Sequence, residues 1–141
     1  MKAKYGVYFL IISLLLVILF FSCEKEQDAL KPAYERLSGK WVILNTNILG
    51  TNLGEDGSYL QFNDCNAGNC PGIDYNHQDA STGSFTYNLE KDYNILVISD
   101  SAKTGGSYTG NWDILEFSNT NLRIRAETSL GEMTIDLRKV E

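Results

Sequence analysis

The chain has 141 residues with 18 acidic and 12 basic side chains, a formal charge of −6 and a single histidine. That length has room for one domain. An acidic balance with no cluster of Lys and Arg argues against nucleic acid as a partner. The sequence also lacks a Gly-x-Ser-x-Gly elbow, a phosphate-cradling glycine loop and a His-Glu-x-x-His pair, so it reads as a non-enzyme with no cofactor or metal.

Met1 to Lys4 carries two lysines, and Tyr5 to Phe21 is an apolar run broken only by Gly6 and Ser13. Ser22 and Cys23 follow, and polarity then flips to Glu24, Lys25, Glu26, Gln27 and Asp28. A basic start, an apolar stretch and a small residue read as a secretory signal over residues 1–22. An uncleaved anchor is the alternative, although a spanning helix normally wants about 20 apolar residues. Ser22-Cys23 resembles the lipobox of bacterial lipoproteins, with Phe20 and Phe21 in the degenerate form found in Bacteroidetes. The resemblance implies that Cys23 becomes the N-terminus and carries acyl chains such as palmitate, its thiol being the nucleophile. Two or three chains anchor firmly where one does not. The expected partner is then a membrane, and the expected location is the cell envelope, as an outer-membrane lipoprotein facing the periplasm or exposed at the surface. The acidic residues after Cys23 resemble a surface-export signal. Removing residues 1–22, with Lys2 and Lys4, moves the formal charge to −8.

Residues 23–36 read as a lipidated tether running into a short helix, Ala29 to Leu37, with Leu30, Tyr34 and Leu37 on one face. Pro32 suits only the first turn of such a helix. Residues 37–141 form the folded domain, and seven segments have strand character. They are Trp41–Ile48, Ser58–Asn63, Phe85–Leu89, Tyr93–Ser99, Asn111–Phe117, Leu122–Ala126 and Met133–Leu137. The apolar run "NILVIS" suggests a strand covered on both sides, and an eighth strand would fall in Asn45–Leu53 or Gly72–Tyr75. Short turns, "EKD", "SNT" and "SLG", join successive strands as antiparallel neighbours. A long meander removes its edges by closing into a barrel, and about eight strands either hold one small ligand or fill with side chains. The fold class is therefore all-β, an antiparallel barrel or sandwich with a short N-terminal helix.

Between the second and third segments lies "NDCNAGNCPGIDYNHQD". In an exported chain, Cys65 and Cys70 are placed to form a disulfide, and a short loop of this kind restrains the unfolded chain by about 2 kcal/mol. Two free thiols, or a zinc site with His77, are the alternatives. Asp64, Asn66, Asp74 and Asp79 are oxygen ligands at spacings that suit calcium. Asn, Asp, Gly and Pro are equally the residues of a long turn, which is the simpler account. Asp64 with Asp74 would be an acid–base pair only by chance, and His77 reads as a solvated loop residue.

"LSGKWVILN", a short helix followed by Gly39-x-Trp41 opening the first strand, resembles the lipocalin signature. "GSFTYNLEKDYNILVISD", "YTGNWDILEFSNTNLRIRAET" and "GEMTIDLRKVE" resemble the lipocalin-like domains of Bacteroidetes lipoproteins. The resemblance covers Leu37 to Glu141 and implies a lipocalin-like barrel. Gly39 and Trp41 would mark its base, with Arg138, Arg125 or Arg123 lying against the tryptophan. Asp100-Ser101-Ala102 resembles a Bacteroidetes O-glycosylation acceptor, which would place a glycan on Ser101. Tyr59, Tyr75, Tyr87, Tyr93, Tyr108, Trp41 and Trp112 could stack on sugars or line an apolar cavity, and core is the commoner fate of strand aromatics. The family implies a non-catalytic carrier of a small hydrophobic ligand, whose binding residues the sequence does not name. The alternative is a filled barrel whose loops bind a protein or glycan. An interior void of several hundred Å³ distinguishes the two.

Overall fold

The computed structural model describes residues 32–65, 68–99, 101 and 108–140. The signal and tether through Lys31, Cys23 included, therefore lie outside the described residues, as do Leu30, Asn66, Asp100 and Ala102. Pro32–Glu141 makes one compact unit. It opens with helix α1, Ala33–Leu37, preceded by Pro32 with φ near −50°. Proline presets that angle, and its carbonyl accepts the Arg36 N–H at 3.1 Å. Ala33 and Leu37, four residues apart, are both buried.

Nine strands follow: β1 Gly39–Ile48, β2 Thr51–Asn52, β3 Tyr59–Phe62, β4 Cys70–Asn76, β5 Ser81–Glu90, β6 Ile95–Ser99, β7 Gly110–Phe117, β8 Asn121–Thr128 and β9 Gly131–Val140. They pair in the order β2-β1-β3-β4-β5-β6-β7-β8-β9, and β1 also pairs with β9. Every pairing is antiparallel. The β1–β9 pairing closes eight strands into a barrel and leaves the two-residue β2 as an appendage. The eighth strand is β4, which contains Gly72–Tyr75, the second of the two places expected for it, within the Asp- and Asn-rich stretch. Closure leaves none of the eight with a free edge.

Two bulges set which residues face inward. In β1 the register against β9 shifts between Ile43 and Asn45, so Thr46 lies opposite Ile135 and Ile48 opposite Met133. Strict alternation from Ile43 would have turned Asn45 and Asn47 inward instead. In β7 the shift falls between Ile114 and Glu116. It brings Phe117 opposite buried Leu122 and leaves Glu116 on the outside opposite Arg123. A bulge re-aims side chains in this way by opposing two residues to one. On β6 only Leu96 and Ile98 are buried; Ile95 and Val97 are half-buried on the outer face, so the run "NILVIS" has one covered side rather than two.

Two glycines shape the inner surface between β4 and β5. Gly72 lies beside Phe85, and a Cβ there would stand 2.2 Å from its ring. Gly83 lies beside Asp74, and a Cβ there would stand 2.1 Å from the carboxylate. Phe62 packs edge-on against Phe85 and Tyr87, with ring centroids 5.6 and 5.0 Å away. Cys65 and Cys70 are joined in a disulfide, Cα atoms 5.6 Å apart, which fastens the β3–β4 connection to the start of β4.

Candidate functional site

The barrel has two ends of different character. At the near end lie α1, the stapled connection before β4 and the turns after β5 and β7. At the far end lie the connections after β1, β4, β6 and β8.

The near end is closed by the residues that carry the Gly-x-Trp pattern. Trp41 has no exposed surface, and its Nε1–H donates to the Leu37 carbonyl at 2.7 Å. Gly39 has φ of +119°, and a Cβ there would stand 2.8 Å from Lys139 Cε. Among the described residues the cation lying over the Trp41 ring is Lys139, its Nζ 5.6 Å from the centroid and donating to the Arg36 carbonyl at 2.9 Å. That corrects the expectation of an arginine from a late strand. Arg123 pairs with Asp136, Arg125 pairs with Asp113, and Arg138 is exposed. All three have the wrong strand parity: their neighbours Leu122, Ile124 and Leu137 point inward, so the arginines point out. Arg36 lies over Phe117 at 4.5 Å.

Beside α1 the stapled connection forms a cleft of about 560 Å³ lined by Pro32, Tyr34, Glu35, Asp64 and Cys65. Its walls are held by hydrogen bonds. The Tyr34 hydroxyl donates to Asn88 Oδ1 at 2.5 Å and accepts the Leu89 N–H at 3.0 Å. The Tyr87 hydroxyl donates to the Asn63 carbonyl at 2.7 Å, and the Ser38 hydroxyl donates to Asp64. Asp64 is thus an exposed near-end residue, Asp74 faces the interior of β4, and Asp79 lies in the far-end turn after β4. Asp64, Asp74 and Asp79, the described members of the calcium set, are not brought together, and neither is the Asp64–Asp74 pair. Among the described residues no group of three or more His, Cys, Asp and Glu side chains could hold a metal.

The aromatics divide between faces. Trp41, Tyr87 and Trp112 are buried, Tyr108 packs against the core, and Tyr93 is exposed. Tyr59 and Tyr75 stack on the outer face at 4.9 Å, with the Lys40 ammonium 3.9 Å from the Tyr59 centroid. Tyr75 and Lys40 both lie against the Tyr59 ring, which leaves less of it open to a sugar. Exposed His77 meets Tyr75 edge-on at 6.4 Å. Ser101 is half-buried, with its N–H donating to Thr109 Oγ1 at 3.2 Å and its own hydroxyl buried without a partner. Glycosylation there requires that hydroxyl to turn outward.

The interior is filled. Trp41, Leu60, Leu96, Ile124 and Ile135 have 0% of their surface accessible, and Phe62, Tyr87, Ile98 and Leu122 have 1%. The walls of a void large enough for a ligand would be accessible to water even if the void were closed, and these are not. The far end differs. Asp74 is also fully buried, yet neither carboxylate oxygen has a hydrogen-bond partner. Such a group costs roughly 1–3 kcal/mol if left unsatisfied. The Asp56 carboxylate accepts the Ser58 N–H at 2.9 Å, and the Ser58 hydroxyl accepts the His77 N–H at 3.1 Å. Trp112 Nε1–H donates to the Tyr108 carbonyl at 2.8 Å. A cleft of about 330 Å³ runs along Thr109, Trp112, Ala126, Glu127, Thr128 and Met133.

Burial, with Asp56 and Asp74 nearby, pushes the Tyr108 hydroxyl up to about 12; burial, with Tyr34 and Asp64 nearby, does the same to Tyr87. In the unfolded chain both ionise near their ordinary value of about 10. Folded pKa values raised in this way contribute stability that is intact below pH 10 and lost as the pH climbs towards 12. Phenolate absorbance followed alongside far-ultraviolet circular dichroism is expected to show two late-titrating tyrosines ionising together with loss of the β signal. Tyr108→Phe should remove one of them and move alkaline unfolding upward.

No family model, curated protein or solved structure matches this chain.

Proposed function

We propose that this is an exported envelope protein, anchored through acylated Cys23, whose barrel is a rigid support for binding at its surface and not a carrier of hydrophobic cargo. The filled interior carries the reading: a carrier of the kind implied by the lipocalin resemblance needs a void lined by inward-facing side chains, and Trp41, Leu60, Leu96, Ile124 and Ile135, from five strands of the wall, have no accessible surface. The location rests on the sequence of residues 1–28, where an apolar run ends at a lone cysteine followed by charge. The chain works by binding, without catalysis. Of the surfaces available, Tyr59 is already engaged by Tyr75 and Lys40, which turns attention to the clefts at the two ends.

The test is native mass spectrometry of residues 24–141 mixed with a lipid and metabolite extract of the host envelope, with alkyne-palmitate labelling of the full chain in cells. The bare mass should persist against every apolar lipid, and labelling should vanish in Cys23→Ala. A stoichiometric lipid adduct that survives mild activation would return the barrel to the carrier class, and labelling retained in Cys23→Ala would remove the anchor.

A further inference from the structure

Resting on the reading of a surface-binding barrel, we infer that the outer wall at the near end is a glycan site, two adjoining clefts for a neutral, hydroxyl-rich oligosaccharide. The two bulges build it. On the outer face Asn45 lies opposite Asp136, Asp136 opposite Arg123 and Arg123 opposite Glu116, one row across β1, β9, β8 and β7. Each bulge falls just before one end of that row, at Leu44 and at Leu115. Unbroken register would set Leu44 opposite Asp136 and Leu115 opposite Arg123, so the bulges exchange two leucines for an amide and a carboxylate. Bulges recur where a side chain is re-aimed towards a site. Neighbouring strands lie about 4.8 Å apart, so the row covers roughly 14 Å of wall.

All four members of the row line one cleft of about 320 Å³. Glu116 also lines a second cleft of about 280 Å³, together with Arg36, Tyr93 and Phe117. Hydrogen-bonding capacity is left over in both. The Arg36 guanidinium rests on the Phe117 ring with its Nε unpartnered, and no ion pair among the described residues engages it. Glu116 is exposed, and Arg123 opposite it is held by Asp136. Asn45 Oδ1 has no partner, and its Nδ2 reaches Asp136 only at 3.5 Å. Rotation about the soft terminal torsion of Asn45 therefore turns that oxygen to the cleft at little cost. Tyr93 supplies an apolar face, with 51% of its surface exposed. It is held out by a turn in which Lys91, Asp92 and Tyr93 have φ of +49°, +56° and +66°. Strain of this kind persists where the surrounding structure fixes it, and it gathers at binding sites. Here the Ile114 N–H fastens the turn to β7, donating to the Asn94 carbonyl at 2.9 Å.

These features select the ligand. A sugar carries hydroxyls that both donate and accept, together with a face of C–H groups. Carboxylates, an amide and a free guanidinium answer the hydroxyls, and a tyrosine ring answers the C–H face. The charged residues lining the clefts are Arg36 and Arg123 with Asp92, Glu116 and Asp136. With both signs interspersed, neither a strong anion nor a strong cation is favoured. Contacts to exposed side chains are individually weak, and a repeating ligand that reaches both clefts sums them. A zwitterion of amino-acid size would meet Arg36 and Glu116 and leave the Asn45 cleft empty.

The experiment titrates the full chain in dodecylphosphocholine micelles, which present no sugar, and follows the Asn45 side-chain amide and the Arg36 Nε–H by NMR. The probes are maltotriose, cellotriose, mannotriose and chitotriose, with lysine and glutamate as charged molecules of amino-acid size. At least one trisaccharide is expected to bind with a millimolar or tighter Kd and to shift both reporters, whereas lysine and glutamate should not. Glu116→Ala and Tyr93→Ala should each weaken that binding about tenfold, the scale of one hydrogen bond to a charged group. Glu116→Gln keeps a hydrogen-bonding group without the charge and should retain binding within about threefold. Glu127→Gln, an exposed acid at the far end, should leave it unchanged. No shift with any trisaccharide at about 10 mM, binding of lysine or glutamate as tight as that of the best sugar, or full binding in Glu116→Ala would each overturn the assignment. A loss in Glu116→Gln equal to that in Glu116→Ala would do so too, by marking the ligand as a cation. The lipid-adduct experiment reads a mass and not these reporters, so failure of the glycan site is distinguishable from failure of the surface-binding reading.

Discussion

Trp41→Ala is expected to cost the barrel about 4 kcal/mol, within the range for deleting a buried tryptophan or phenylalanine side chain. Two effects add. The indole has no exposed surface and sits where α1, β1 and Lys139 converge, so its removal leaves a cavity that the closed β1–β9 seam cannot collapse to fill. The Leu37 carbonyl also loses the 2.7 Å hydrogen bond from Nε1. Trp41→Phe separates the contributions, because it keeps most of the apolar body and loses the donor; about 1 kcal/mol is expected. Urea unfolding of both variants against wild type is the measurement. A loss below about 1 kcal/mol for the alanine variant would show that the near end is not what holds the barrel shut.

The second large effect is predicted for the smallest change, Gly72→Ala. The added Cβ would stand 2.2 Å from the Phe85 ring, and Phe85 is itself only 3% exposed and locked edge-on against Phe62. Neither the backbone of β4, paired on both sides, nor the ring has room to yield. Overpacking of this kind costs roughly 1–3 kcal/mol, and the upper end is expected here. The mechanism has a specific signature. Phe85→Leu should cost about 1 kcal/mol by itself yet relieve Gly72→Ala, so the double variant should be more stable than the sum of the singles by about 1 kcal/mol or more. Strict additivity would place the damage in backbone conformation instead.

Much of the fold is legible in the residue pattern. Period-two segments mark seven of the eight barrel strands, and the short turns between the last five make them antiparallel neighbours. The Cys65–Cys70 spacing admits the disulfide that forms. The eighth strand, β4, which the pattern placed either in Asn45–Leu53 or in Gly72–Tyr75, is instructive. "CPGIDYN" carries Pro71, Gly72 and Asp74, all poor strand formers, and its strand character comes from its neighbours. Pro71 points outward, Gly72 accommodates a ring from β5, and Asp74 is accommodated by a glycine on β5. The burial of Asp74, named from the sequence only as a candidate calcium ligand or acid–base partner, was hidden for the same reason. Asp74 reads as one of several acids in a turn-rich stretch until β4 is recognised as a strand. Its parity with Cys70 and Gly72 then puts it inside.

What the sequence determined by itself is local: the alternation of side chains on each strand, the sharpness of the turns, the short helix behind Pro32 and the change of polarity at Cys23. What only the tertiary structure decided depends on residues far apart in the chain. The β1–β9 seam joins Lys40 to Val140, and no short-range pattern encodes that pairing. The bulges at Leu44 and Leu115 exist because closure requires Thr46 and Phe117 inside, whereas unbroken alternation would have buried Asn45 and Glu116. Lys139, not an arginine, reaches Trp41 because strand parity turns the arginines outward. Alternation names two faces of a strand, but whether inward side chains meet across a barrel or line a void depends on their summed volume against the space enclosed. Here they meet, and the exception is a carboxylate that has found no partner within the chain.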